Sequence, residues 1–247
     1  MPALSPGGGA VRGVAAIIAS ALTLIGAALT PRHAAAQPVN DLQDGQVWAQ
    51  LLVLGQLSPN WRTHVEVQPR WFDEASELGL TIIRAAIGRQ LTPRAAVYGG
   101  YGWVPRTYGA GVRHEQRTWQ QLSLTYPELG RWLPSSRVRL EQRWLDPWAD
   151  ASHRLRVLTR AQRPLGGGRR WHLALYDEAM FTLDTTGTGP ARGYDRNRLF
   201  SGIGRRLSPA VTAEWGYLWE NSTVRGPGQR NDHVPIVMLN VTWPQQP

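Results

Sequence analysis

A chain of 247 residues with 27 basic and 18 acidic side chains carries a net charge of +9, and every basic residue is an arginine. With no cysteine, a disulfide-stapled fold and thiolate chemistry are excluded. The arginines alternate with apolar residues instead of clustering, which argues against nucleic-acid binding and makes anionic lipid or small anions the natural partners.

The chain opens with Arg12, an uncharged apolar run Val14–Leu29, and the small-residue triplet Ala34-Ala35-Ala36. This is the layout of a secretory signal peptide over 1–36, cleaved to leave 37–247 as one domain. The run is short of the roughly 20 residues that a spanning helix needs. The rest of the chain holds no comparable run.

From there the pattern has period two. Trp61–Trp71 places Trp61, Thr63, Val65, Val67, Pro69 and Trp71 on one face and Arg62, His64, Glu66, Gln68 and Arg70 on the other. Such alternation predicts a β-strand, since successive side chains point to opposite faces. Similar runs cover 46–54, 80–89, 94–103, 111–124, 136–144, 153–163, 171–182, 196–207, 210–220 and 234–243. Many reach the roughly 9–11 residues of a membrane strand. At about 3.3 Å per residue and a tilt near 40°, ten steps rise roughly 25 Å, the height of an outer-membrane apolar band.

The chain has twelve Trp against three Phe. Trp61, Trp71, Trp103, Trp144, Trp171, Trp219 and Trp243 fall at or near run ends, where interfacial aromatic girdles lie. Short turns at 55–60, 90–94, 164–169 and 207–210 would alternate with longer polar loops at 72–79, 104–110, 145–152, 183–195 and 221–231. The expected fold is therefore all-β: one antiparallel transmembrane β-barrel in an outer membrane. The runs number eleven, whereas bacterial barrels have even counts, so ten to twelve strands are expected, with twelve preferred. Pro69, which has no N–H to give, should sit at a bulge or near a strand end. A soluble β-sandwich or lipocalin-like barrel is the alternative.

The segments "EQRTWQQL" (115–122), "RLEQRW" (139–144), "RLR" (154–156), "YDEAMF" (176–181) and "DRNRLFSGIG" (195–204), followed by Gly216-Tyr217, resemble in order and spacing an uncharacterised outer-membrane β-barrel family, domain of unknown function 2490. The resemblance spans about 46–243 and implies location and architecture but no activity. The last strand resembles the C-terminal signal of such barrels, which addresses the barrel-assembly machinery, although "PQQP" follows it here. Outer-membrane lipid and lipopolysaccharide would surround the chain.

Extending the alternation turns inward Arg62, Arg70, Arg113, Arg117, Arg137, Arg139, Arg143, Arg154, Arg156, Arg160, Arg196 and Arg198. The acids on the same side are Glu66, Glu115, Glu141, Glu178, Glu214 and Glu220. Two readings follow: an Arg–Glu lattice that rigidifies the barrel, or a small pore whose surplus Arg favours anions. No cofactor or metal site is expected. An enzyme, such as a lipid hydrolase or acyltransferase, is the weaker reading: no His precedes a Ser by two residues. Asp232-His233 and Asp177-Glu178 are adjacent, so a strand would point each pair apart. The acids Asp73, Glu74, Glu77, Asp146, Asp150 and Asp184 in the longer loops could meet divalent cations that bridge lipopolysaccharide.

Overall fold

A computed structural model describes residues 42–146, 150–186, 191–224 and 228–243. The expected signal peptide lies outside them. The described residues form twelve strands and no helix: β1 Leu42–Gly45, β2 Val47–Gln56, β3 Trp61–Phe72, β4 Glu77–Thr92, β5 Ala95–Tyr108, β6 Gly111–Thr125, β7 Leu133–Leu145, β8 Ser152–Leu165, β9 Trp171–Thr182, β10 Gly193–Arg206, β11 Val211–Thr223 and β12 Gln229–Trp243.

Each strand from β2 to β12 pairs with its sequence neighbour, and β12 returns to β2, so eleven strands close a barrel. Strand β1 continues the line of β2 along β12, broken only at Gln46. The eleven alternating runs of the sequence are these eleven staves. The odd count has a geometric consequence that an all-antiparallel expectation misses. Strands that alternate in direction leave the first and eleventh pointing the same way, so the β2–β12 seam is parallel, with Trp48 opposite Ile236 and Gly55 opposite Trp243.

The barrel has an N-terminal rim, where β1 begins, and a C-terminal rim, where β12 ends. Three of the expected long loops are corrected: 72–79, 104–110 and 221–231 shrink to 73–76, 109–110 and 224–228, because Glu77–Leu80, Val104–Tyr108, Asn221–Thr223 and Gln229–Asn231 continue their ladders. At the first of these turns Asp73, Glu74 and Ala75 all have positive φ, which costs L-residues roughly 1–2 kcal/mol each. Contacts to β1 hold it: the Gly45 N–H donates to Glu74 Oε1 at 3.2 Å, and the Glu74 N–H to Asp44 Oδ1 at 3.2 Å. Pro69 lies where the β2–β3 ladder skips from Trp48–Arg70 to Leu51–Val67, one residue from a register shift at Arg70/Trp71.

Side chains sort by the pleat. Outside, Val65, Ile83, Ile87, Val97, Val138, Leu199, Ile203, Val237 and Leu239 are exposed. Trp61, Trp171 and Trp243 stand near the C-terminal rim, and Trp71, Trp103, Trp144 and Trp219 toward the other. The polar residues on this wall satisfy one another: Thr118 and Gln120 bond Gln142, and Tyr101 bonds Gln116.

Inside, the lumen is part apolar and part ionic. Trp48, Ala174, Phe200, Leu218, Val234, Ile236 and Met238 form one buried cluster, and Leu80, Ile82 and Val104 a second. Trp119 also points inward and is fully buried. Gly100 makes its space: a Cβ there would lie 2.6 Å from the indole and 2.5 Å from the Ala85 carbonyl oxygen.

Candidate functional site in the barrel lumen

Strands β6 to β8 carry charged residues at alternate inward positions, and β9 to β11 add Glu178, Arg196, Arg198, Glu214 and Glu220, so the inward rows meet in the lumen. Glu141 on β7 accepts from Arg154 Nη2 at 2.6 Å and Arg156 Nη1 at 2.8 Å. Arg156 also donates to both oxygens of Glu178 at 2.7 and 2.8 Å. Glu178 further takes Arg137 at 2.5 Å and Arg198 at 3.4 Å. Glu220 joins Arg198 at 2.5 Å and Arg196 at 2.8 Å. Toward the N-terminal rim Glu115 takes Arg117 at 3.0 and 2.9 Å and Arg143 at 2.5 Å. Toward the C-terminal rim Glu214 takes Arg160 at 2.5 and 2.6 Å and His172 at 2.9 Å. Bidentate guanidinium–carboxylate geometry is what makes such charges tolerable away from water.

The residues read as lumen-lining do not all join this lattice. Arg62 turns to the carbonyls of Ser58 and Pro59 in the β2–β3 turn. Arg70 bonds Gln68 and lies over the Trp48 ring at 3.6 Å. Arg113 is half-buried at the start of β6. Glu66 pairs with Arg84 at 3.0 and 2.9 Å and contacts His64 at 3.4 Å. Arg139 is fully buried over Trp119, gives Nε and Nη2 to Gln121, and meets its nearest acid, Glu141, only at 3.7 Å.

Several members escape the alternation argument. Arg84 sits in "LTIIRAAIG", apolar on both faces, so the phase of that strand is unmarked. Asp195 bonds Arg154 at 3.2 Å; a register shift between Tyr194 and Arg196 lets it and Arg196 both face inward. Trp119 and Gln121 were legible, because they continue the row Glu115, Arg117.

Below the lattice, toward the C-terminal rim, lies a cavity of about 470 Å³. Arg84, Glu66, Arg137, Arg156, Glu178 and Arg198 line its deep end, while Leu52, Leu54 and Met238 line the seam side.

The adjacent pairs Asp232-His233 and Asp177-Glu178 separate as strand geometry requires. Buried Asp232 bonds Arg230, whereas exposed His233 meets Tyr217 Oη. Asp177 faces outward and accepts from Asn197, while Glu178 faces the lumen. Of the loop acids, Asp73 bonds Ser76, Glu74 braces β1, and Asp184 is engaged by His153. Burial alone would raise the Asp184 carboxyl. Hydrogen bonds from the His153 ring and backbone N–H outweigh this and hold it below its ordinary value. Among the described residues no three His, Cys, Asp or Glu side chains gather as a metal site would need.

The family described as "Protein of unknown function (DUF2490)" matches residues 45–231. An uncharacterised protein of Methylorubrum extorquens is 32% identical over 217 residues, which cover 87% of this chain and 93% of that protein. No solved structure matches the chain.

Proposed function

As a member of DUF2490, the family of unknown function to which it belongs, this chain brings a β-barrel fold but no assigned activity, and we propose that it is an outer-membrane barrel whose lumen is braced shut by an ion lattice. The membrane part of this reading is supported by the outer wall. Exposed Val, Ile and Leu occupy its middle, and tryptophans stand toward both rims. An apolar belt of this kind, interrupted by the paired amides on β6 and β7 and by Asp177 on β9, suits contact with lipid, and a closed barrel is the β-architecture that leaves no backbone group unpaired there. The leader-like segment 1–36 supports export through a signal peptide.

One observation carries the closed lumen. Arg139 and Glu141 have no exposed surface, and Glu115, Asp195 and Trp119 at most 1%. A water-filled channel passing them would wet them. The small anion-favouring pore expected from the arginine surplus is therefore the second reading: the surplus is real, but its charges are spent on holding the walls together.

Residues 37–247, folded into planar bilayers, should insert stably and give no discrete current steps under a salt gradient. Repeated unitary steps with an anion-biased reversal potential would overturn the closed lumen. A protein that stays in the aqueous phase without detergent would overturn the membrane assignment.

A further inference from the structure

The cavity below the lattice has two unlike sides. Leu52 and Leu54 on β2 and Met238 on β12 flank the seam, with Gln50 and Asn240 at the two ends of that row. In a ring of eleven strands, β7 and β8 stand across from that seam, and they contribute Arg137 and Arg156. At the deep end Arg156 and Arg198 have second acids behind the wall, Glu141 and Glu220, whereas Arg137 has only a share of Glu178 and Arg84 only Glu66. Glu178 is shared by Arg137, Arg156 and Arg198, and Glu66 is left to Arg84 and His64. Arg84 is 4% exposed, lines the cavity, and has an Nε with no hydrogen-bond partner. The Nε of Arg137 has none either. Immediately behind them, Arg139 Nη1 is also without a partner. A buried guanidinium N–H with no acceptor is costly, and an anion in the cavity would relieve that cost.

We propose that this cavity binds an amphiphilic anion, with its carboxylate or comparable acidic group against Arg84 and Arg137 and its apolar body along Leu52, Leu54 and Met238. Cations alone would take any small anion. An apolar wall facing them selects one that carries a hydrocarbon or aromatic body. The volume falls within the roughly 300–1,000 Å³ of small-molecule sites, enough for a medium-chain carboxylate and too small for a whole phospholipid. The proposal rests on the closed lumen argued above, since the lattice forms the floor. Its test reads binding in solution and not current, so the two can fail separately.

The protein as purified from membranes and held in amphipol would be titrated with carboxyl-¹³C octanoate and followed by NMR, with octanol and inorganic phosphate as the other two probes. Octanoate should bind saturably with one site per chain. Neither octanol nor phosphate should compete with it at equal concentration. Arg137→Gln should weaken octanoate by about tenfold or more, since one charge-assisted contact is lost. Glu178 keeps Arg156 and Arg198 in that variant. Octanol competing as well as octanoate would overturn the role of the arginines. Phosphate competing as well would overturn the role of the apolar wall. No saturable octanoate binding would overturn the site itself. The three-probe comparison uses the unaltered protein, so it decides the matter even if the variant fails to fold.

Discussion

At the scale of the residue, inward-facing charge does not have one fate. Glu141 and Arg62 both lie in inward phase, yet Glu141 has no exposed surface and joins Arg154, Arg156 and, more distantly, Arg139. Arg62 instead bonds turn carbonyls at an open rim. Removing the charge at Glu141 leaves buried guanidinium groups short of an acceptor, so Glu141→Gln should destabilise the barrel by about 3–5 kcal/mol. Arg62→Gln should stay within about 0.5 kcal/mol. Urea unfolding in lipid vesicles, followed by tryptophan fluorescence, compares the two. Equal shifts would mean that the lattice contributes no more than a rim contact. The sequence carried most of this site, because strict alternation in "RVRLEQR" and "RLRVLTR" puts the lattice residues in register. It failed where a strand is apolar on both faces, as around Arg84, and where a bulge changes the phase, as at Asp195. Gln121 shares the inward phase of Glu115 and Arg117, but nothing in the sequence marks it as the acceptor for two donors of Arg139.

At the scale of the element, the informative feature is the seam. Eleven alternating runs were countable in the sequence, but the even counts of bacterial barrels pulled the expectation toward ten or twelve. Parity depends on how the first and last strands meet, and that long-range pairing leaves no local pattern. The parallel register is directly checkable, because the chain has no cysteine of its own. Ala49 lies opposite Val237, and Val53 opposite Val241. Ala49→Cys with Val237→Cys should form a disulfide on mild oxidation of the folded protein, since adjacent strands bring Cα atoms within bonding range. Ala49→Cys with Val241→Cys should not, being offset by four residues or roughly 13 Å. Gel mobility after oxidation separates the outcomes. Cross-linking of the second pair in preference to the first would refute the register of the seam. The turns teach a related lesson. The polar stretches 72–79 and 104–110 read as loops by composition, yet their backbones extend the ladders of β3–β4, β4–β5 and β5–β6, because pairing depends on the neighbouring strand and not on polarity.

At the scale of the whole molecule, parity fixes which rims carry the outer ends of β1 and β12. In a barrel of eleven strands Leu42 and Trp243 belong to opposite rims, whereas an even barrel returns both to one side. In the proposed outer membrane the C-terminal rim, with the 57–60 turn, faces the periplasm. The rim carrying Leu42 then faces outward. Leu42 and Leu57 are both exposed, at 52% and 60%, and stand at opposite rims. Leu42→Cys should therefore react with a membrane-impermeant maleimide on intact cells. Leu57→Cys should react only after the outer membrane is permeabilised. Labelling of both positions, or of neither, on intact cells would contradict a spanning barrel with opposed rims. Reversed labelling would keep the barrel but invert it. It would then place the cavity, which lies toward the Leu57 rim, at the cell surface, where an amphiphilic anion would arrive from the medium instead of the periplasm.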